Sequence, residues 1–132
     1  MTTPEQDELI ERWCRALESG EYDQSSGRLK NKNGYCCLGV LCEVAGIKPE
    51  IYQSETPGLF SYEGEAYGLP RSVMQTIGIN TKFGRFTGVH PETKTEEVID
   101  LTILNDYGTD FSAIAALIRS RPTGLFVEKN DA

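Results

Sequence analysis

The sequence predicts a small α+β domain, with about four helices around a buried central one and one or two short antiparallel hairpins. Three observations carry that expectation. The chain has 132 residues, 39% hydrophobic and 25% charged, which suits one soluble domain with a modest core. Tyr35-Cys36-Cys37-Leu38-Gly39-Val40-Leu41-Cys42-Glu43-Val44-Ala45-Gly46 is its most apolar run, and Glu43 is the only charge in it. Several polar segments with helical spacing or turn chemistry surround this run.

The apolar run reads as a helix over residues 36–45. Only Val40 and Val44 are β-branched, Gly39 would weaken a strand, and Gly46 stands where a left-handed C-cap is expected. A helix apolar on nearly every side must be surrounded by protein. The domain is expected to fill residues 1–132, with 128–132 as a frayed tail.

Thr3 can cap a first helix, with Pro4 at its first position and Gln6 completing a capping box. Leu9, Ile10, Trp13, Cys14 and Leu17 form its apolar stripe, and Gly20 ends it. Arg28-Leu29-Lys30 and Tyr35 read as a hairpin around Asn31-Lys32-Asn33-Gly34. Residues 47–69 carry turn signals throughout, including Pro57-Gly58, and residues 59–62 and 65–67 are expected to pair across Glu63-Gly64. Pro70 opens a short helix through Ile77, with Gly78 as its stop. Residues 80–95 read as a loop or edge strand, with Phe83 and Phe86 as exposed aromatics of a ligand flap. Glu96 to Asp106 reads as a helix. Thr109 or Asp110 caps a last one, which Pro122 ends, and residues 125–127 return as a short edge strand.

Composition narrows the function. The net charge of −7 argues against general attraction to nucleic acid. No apolar run is long enough to span a bilayer, and the N-terminus lacks a basic region followed by an apolar one. A cytoplasmic protein with four free thiols is therefore expected. Two predicted helices within 96–120 have helix-turn-helix length, but Asp110 opens the second and Arg119 and Arg121 lie at its far end. An ordinary helical hairpin is the better reading. Cys14, Cys36, Cys37, Cys42 and His90 lack the spacing of a zinc knuckle, so neither a metal nor a cofactor is expected.

Two site readings follow. In the first, Tyr35, Tyr67, Phe83 and Phe86 offer stacking surfaces to a small ligand. Arg28, Lys30, Arg71 and Arg85 offer partners for a phosphate or carboxylate, and Asn105 and Asp106 a base or ribose edge. In the second, Cys36 or Cys37 at the start of a buried helix is the nucleophile of a papain-like hydrolase, with His90 as base and Asn105 or Asp106 orienting it. The alternative to that hydrolase is that the cysteines pack as small hydrophobes.

The Tyr35–Glu43 segment and Leu104-Asn105-Asp106-Tyr107-Gly108-Thr109-Asp110-Phe111-Ser112-Ala113-Ile114-Ala115 resemble a family of small, uncharacterised proteins mostly encoded by bacteriophages. Residues 13–20, Gly68-Leu69-Pro70 and Gly78-Ile79 are similar to it as well. The resemblance spans most of the chain in the same order and carries over no catalytic residue. It implies a phage or prophage origin and expression in the cytoplasm of the bacterial host. The expected function is a non-enzymatic binding protein, concretely a counter-defence protein that sequesters a small nucleotide-type signal or blocks a host protein. A homo-oligomer is compatible with the sequence.

Overall fold

In the computed structural model, residues 2–51, 58–90 and 93–127 are described. Among these residues, five helices and three two-stranded antiparallel sheets follow one another. Helix α1 (Pro4–Glu18) opens with the capping box that its sequence predicts. The Gln6 N–H donates to Thr3 Oγ1 at 3.1 Å, and the Thr3 N–H donates to Gln6 Oε1 at 2.9 Å. Leu9, Ile10, Trp13, Cys14 and Leu17 are all buried, so the predicted stripe is the core face.

Strands β1 (Lys30–Asn31) and β2 (Gly34–Tyr35) form the predicted hairpin, with Lys30 opposite Tyr35. The preceding loop runs back along it. The Tyr35 N–H donates to the Asp23 carbonyl at 2.8 Å, and the Ser25 N–H to the Tyr35 carbonyl at 2.7 Å. Helix α2 (Cys37–Val44) then enters the core with Cys36 as its N-cap. Residues 37–42 are all buried. Its end is a Schellman motif: Gly46 has φ +84°, its N–H donates to the Glu43 carbonyl at 3.0 Å, and the Ile47 N–H to the Cys42 carbonyl at 3.0 Å. Gly39 has a more specific reason. A Cβ there would lie 1.8 Å from the Leu29 carbonyl oxygen, so helix and hairpin backbones meet at this point.

Strand β3 (Glu50–Ile51) pairs with β4 (Phe60–Ser61). The expected pairing of residues 59–62 with 65–67 is reduced to a single bridge between Tyr62 and Glu65. Pro57 lies outside the described residues, as does the expected frayed tail, 128–132. Helix α3 (Arg71–Ile77) has Pro70 at its N-cap and ends at Gly78, φ +87°.

The largest correction concerns residues 80–106. Strand β5 (Arg85–Val89) pairs with β6 (Glu96–Asp100), and only Leu101–Asp106 is helical, as α4. The expected helix from Glu96 joins two elements. Ile99 is 3% exposed and its neighbour Val98 61%, the alternation of a half-buried strand. Phe86 lies opposite Ile99 and is 2% exposed, so it belongs to the core and not to an exposed flap. Asp110 caps α5 (Phe111–Arg119), accepting from the Ala113 N–H at 2.8 Å. The expected strand over 125–127 is a single bridge between Phe126 and Ile79.

Helix α1 packs along α5 and across α2 and α3, while α4 packs on α2 and α5. Trp13 ties α1 to α2, donating from Nε1 to the Cys37 carbonyl at 2.9 Å in the buried core. Among the described residues no helix is long and apolar enough to cross a membrane.

Candidate functional site

The start of α2 is held by residues distant in sequence. Asn105, on α4, is 3% exposed. Its Oδ1 accepts from the Cys37 N–H at 3.2 Å and from Gln24 Nε2 at 3.0 Å. Its Nδ2 donates to the Ser25 carbonyl at 2.7 Å. Gln24 Nε2 also donates to the Thr109 carbonyl at 2.8 Å, and the Gly27 N–H donates to Asp106 Oδ1 at 3.1 Å. The loop before β1 is thereby clasped to the C-terminal end of α4. Asn105 supplies one of the acceptors that the unpaired N–H groups at a helix start require.

The clasp shapes a cavity of about 170 Å³ lined by Gly27, Arg28, Cys36, Tyr67, Phe83, Thr102 and Asp106. Thr102 and Asp106 are four residues apart on α4 and therefore share one face. The other lining residues include aromatic rings and a cation. The Arg28 guanidinium carbon lies 4.9 Å from the Tyr67 ring centroid, and its Nη1 donates to the Tyr67 hydroxyl at 3.2 Å. Phe83 packs against Gly68, where a Cβ would stand 3.0 Å from Phe83 Cε1. The cavity thus combines apolar walls with a guanidinium, two hydroxyls and a carboxylate.

Of the residues expected to bind a ligand, Arg28, Tyr67, Phe83 and Asp106 meet here. Asn105 stands behind them, with three hydrogen bonds already made. Lys30 and Tyr35 form a separate cluster. Lys30 Nζ donates to the Tyr35 hydroxyl at 3.1 Å and lies 4.2 Å and 4.8 Å from the centroids of Tyr35 and Phe60. Arg71 lies at the start of α3, beside a separate depression with Met74 and Gln75. Arg85 pairs with Asp100 at 3.1 Å across the β5–β6 hairpin. Gly27 and Thr102 were not anticipated. The signal for Thr102 was its i, i+4 spacing to Asp106, which the expected helix from Glu96 to Asp106 already contains.

The cysteines are all free and buried. Desolvation pushes the Cys36 thiol up to about 11, although the backbone N–H groups of Gly39 and Leu38 pull the other way. Desolvation raises Cys37 and Cys42 as well. Cys36 nevertheless lines the cavity. His90 stacks edge-on to Tyr107, with ring centroids 5.3 Å apart, and its Nδ1 faces the Thr93 N–H at 3.5 Å. Among the described residues no three His, Cys, Asp or Glu side chains gather in a metal-binding group.

No curated protein and no solved structure matches the chain. A family described as a domain of unknown function, DUF8296, matches residues 5–122. The clasp, the cavity and the whole helical core lie inside that match, and the chain belongs to this DUF8296 family.

Proposed function

We propose that this protein is a non-enzymatic binding protein whose Arg28–Tyr67–Asp106 cavity takes up a small nucleotide-type molecule. The observation that carries this reading is the meeting of those three side chains, far apart in sequence, in one aromatic-walled cavity. An apolar cavity of ~150 Å³ admits benzene. One of about 170 Å³ is therefore of a size for one ring system, with the rest of a nucleotide at its mouth. The phage resemblance gives this binding a setting, the removal of a small signal in a counter-defence role in the bacterial cytoplasm.

A catalytic role gains no support from the geometry. An activated cysteine needs a lowered thiol pKa and an accessible sulfur. Cys36 and Cys37 are buried and their thiols are raised.

Calorimetric titration with cyclic nucleotides and ADP-ribose-type nucleotides tests the reading. Heat with at least one member, lost in Tyr67→Ala, is the expected result. No heat and no thermal shift across the panel would overturn it in favour of a host-protein partner.

A further inference from the structure

The two edges of the β5–β6 sheet differ. At the two ends of the pairing the His90 N–H donates to the Thr95 carbonyl at 2.9 Å and the Leu101 N–H to the Gly84 carbonyl at 3.0 Å. Antiparallel pairs alternate between hydrogen-bonded and non-bonded. Glu97 and Ile99 are therefore the residues of β6 bonded to β5, and the backbone groups of Glu96 and Val98 point the other way. Along β5 the chain closes its own outer edge. The Thr87 N–H donates to the Thr123 carbonyl at 2.8 Å, and the Arg85 N–H to Thr81 Oγ1 at 2.7 Å. Along β6, no described residue pairs with the backbone of Glu96 or Val98 from outside.

Strand edges that avoid pairing carry a proline, a bulge or an exposed lysine. Glu96-Glu97-Val98-Ile99-Asp100 has none of these, and its pairing with β5 runs without a break. Glu96, Val98 and Asp100 share the outward face of the strand. On that face Val98 is 61% exposed, and Val89 of β5, opposite Glu96, is 60% exposed. The Asp100 carboxylate has Arg85 at 3.1 Å, while no described cation pairs with Glu96 or Glu97.

Charge decides between the possible occupants of this edge. Two copies of the chain paired about Val98 would set Glu96 of each opposite Asp100 of the other. Like charges directly opposite one another destabilise a strand pair, and opposite charges stabilise it. A strand with an apolar residue opposite Val98 and cations two positions to either side meets the valine and both carboxylates at once. We propose that the β6 edge docks an extended, basic segment of another protein as an added antiparallel strand of the pattern Lys-x-Val-x-Lys. This edge is separate from the cavity, none of whose lining residues belongs to β5 or β6. Nucleotide binding and strand binding can therefore each fail alone.

The probe is the capped peptide Thr-Lys-Thr-Val-Thr-Lys-Thr. Its controls are the same peptide with Glu for both Lys, and the same peptide N-methylated at Val. Calorimetry gives the affinities, and amide hydrogen exchange gives the place. The Val98 amide is expected to exchange rapidly in the protein alone and to slow at least roughly 10-fold with the lysine peptide bound. At low salt the lysine peptide should bind roughly 10-fold more tightly than the glutamate one, and the N-methylated peptide should not bind. Glu96→Lys changes an exposed residue, so its melting temperature should hold while the charge preference falls or reverses. No binding of the lysine peptide, equal binding of the two charge forms, or undiminished binding of the N-methylated one overturns the proposal. So does a Val98 amide already slow in the protein alone. Slowing that is lost on dilution would then assign the edge to a second copy, and slowing that persists would assign it to the chain itself.

Discussion

Replacing Asn105 by alanine removes the clasp that joins α4, the loop before β1 and the start of α2. Three hydrogen bonds go together: from the Cys37 N–H, from Gln24 Nε2 and to the Ser25 carbonyl. They do not contribute equally. Gln24 is exposed and water can replace its partner. The Cys37 N–H is at a residue with 0% exposure, and Ser25 is half-buried. A buried donor or acceptor left without a partner costs about 1–3 kcal/mol. Counting the Cys37 group in full and the Ser25 carbonyl at the low end gives about 2–4 kcal/mol. Alanine recovers a few tenths of a kcal/mol through its helix propensity, which does not change the order. For a chain of this size, 1 kcal/mol shifts the melting temperature by about 3–4 °C. The expected loss is therefore about 6–16 °C by calorimetry, with a matching fall in the urea midpoint at unchanged slope. Gln24→Ala is the control and should cost less than about 1 kcal/mol. A shift under 2 °C in Asn105→Ala would refute the reasoning, because the Cys37 N–H would then have another partner.

Further outcomes follow from the same contacts. Gly39→Ala puts a methyl group 1.8 Å from the Leu29 carbonyl oxygen, with backbone on both sides. Denaturant titration should show a loss of about 3 kcal/mol or more, despite alanine's better helix propensity. Tyr62→Phe removes a hydroxyl that donates to Glu43 Oε2 at 2.6 Å, and should cost about 1–3 kcal/mol by the same measurement. Cys36 should react with a thiol probe at pH 7.5 far more slowly than a free cysteine, because burial holds its thiol up at about 11. Reaction as fast as a free thiol would revive the hydrolase reading. Glu11 is held below its ordinary value by its hydrogen bonds to Arg119, and Asp7 by its bond to Thr2 and by Arg121. Both carboxylates are depressed by folding. Their stabilisation is therefore present above the unfolded value near 4 and lost as pH falls through the lower folded values. The melting temperature should hold from pH 7 to 5 and fall below pH 4, less steeply in Arg119→Ala.

What could be read from the sequence was local. The Thr3–Gln6 capping box, the α1 stripe, the central helix and its Gly46 cap each depend on residues within a few positions of one another. The failures have two physical origins. Val98, Ile99, Leu101 and Leu104 fit helical spacing only because a strand and a helix adjoin at Asp100. The partner that makes residues 96–100 a strand lies across a turn, at Arg85–Val89. Likewise β4 finds its partner in β3, while the local turn at Glu63-Gly64 suggested another. The site followed the same division. Residue chemistry suggested Arg28, Tyr67, Phe83 and Asp106 as ligand partners, and the fold brings them to one cavity. The same chemistry suggested Arg85 and Phe86, whose partners Asp100 and Ile99 come from the unanticipated strand. Asn105 was expected at the ligand; its amide instead holds Cys37, Gln24 and Ser25 in place beside it.

The most direct test of the central claim is a two-dimensional NMR titration of the backbone amides with the cyclic and ADP-ribose-type nucleotides. Shifts are predicted to concentrate at Gly27, Arg28, Cys36, Tyr67, Phe83, Thr102 and Asp106, with the β5–β6 hairpin unmoved beyond Phe86. Shifts centred on Val89 and Val98, or at Arg71 and Lys30, with the cavity silent, would contradict it.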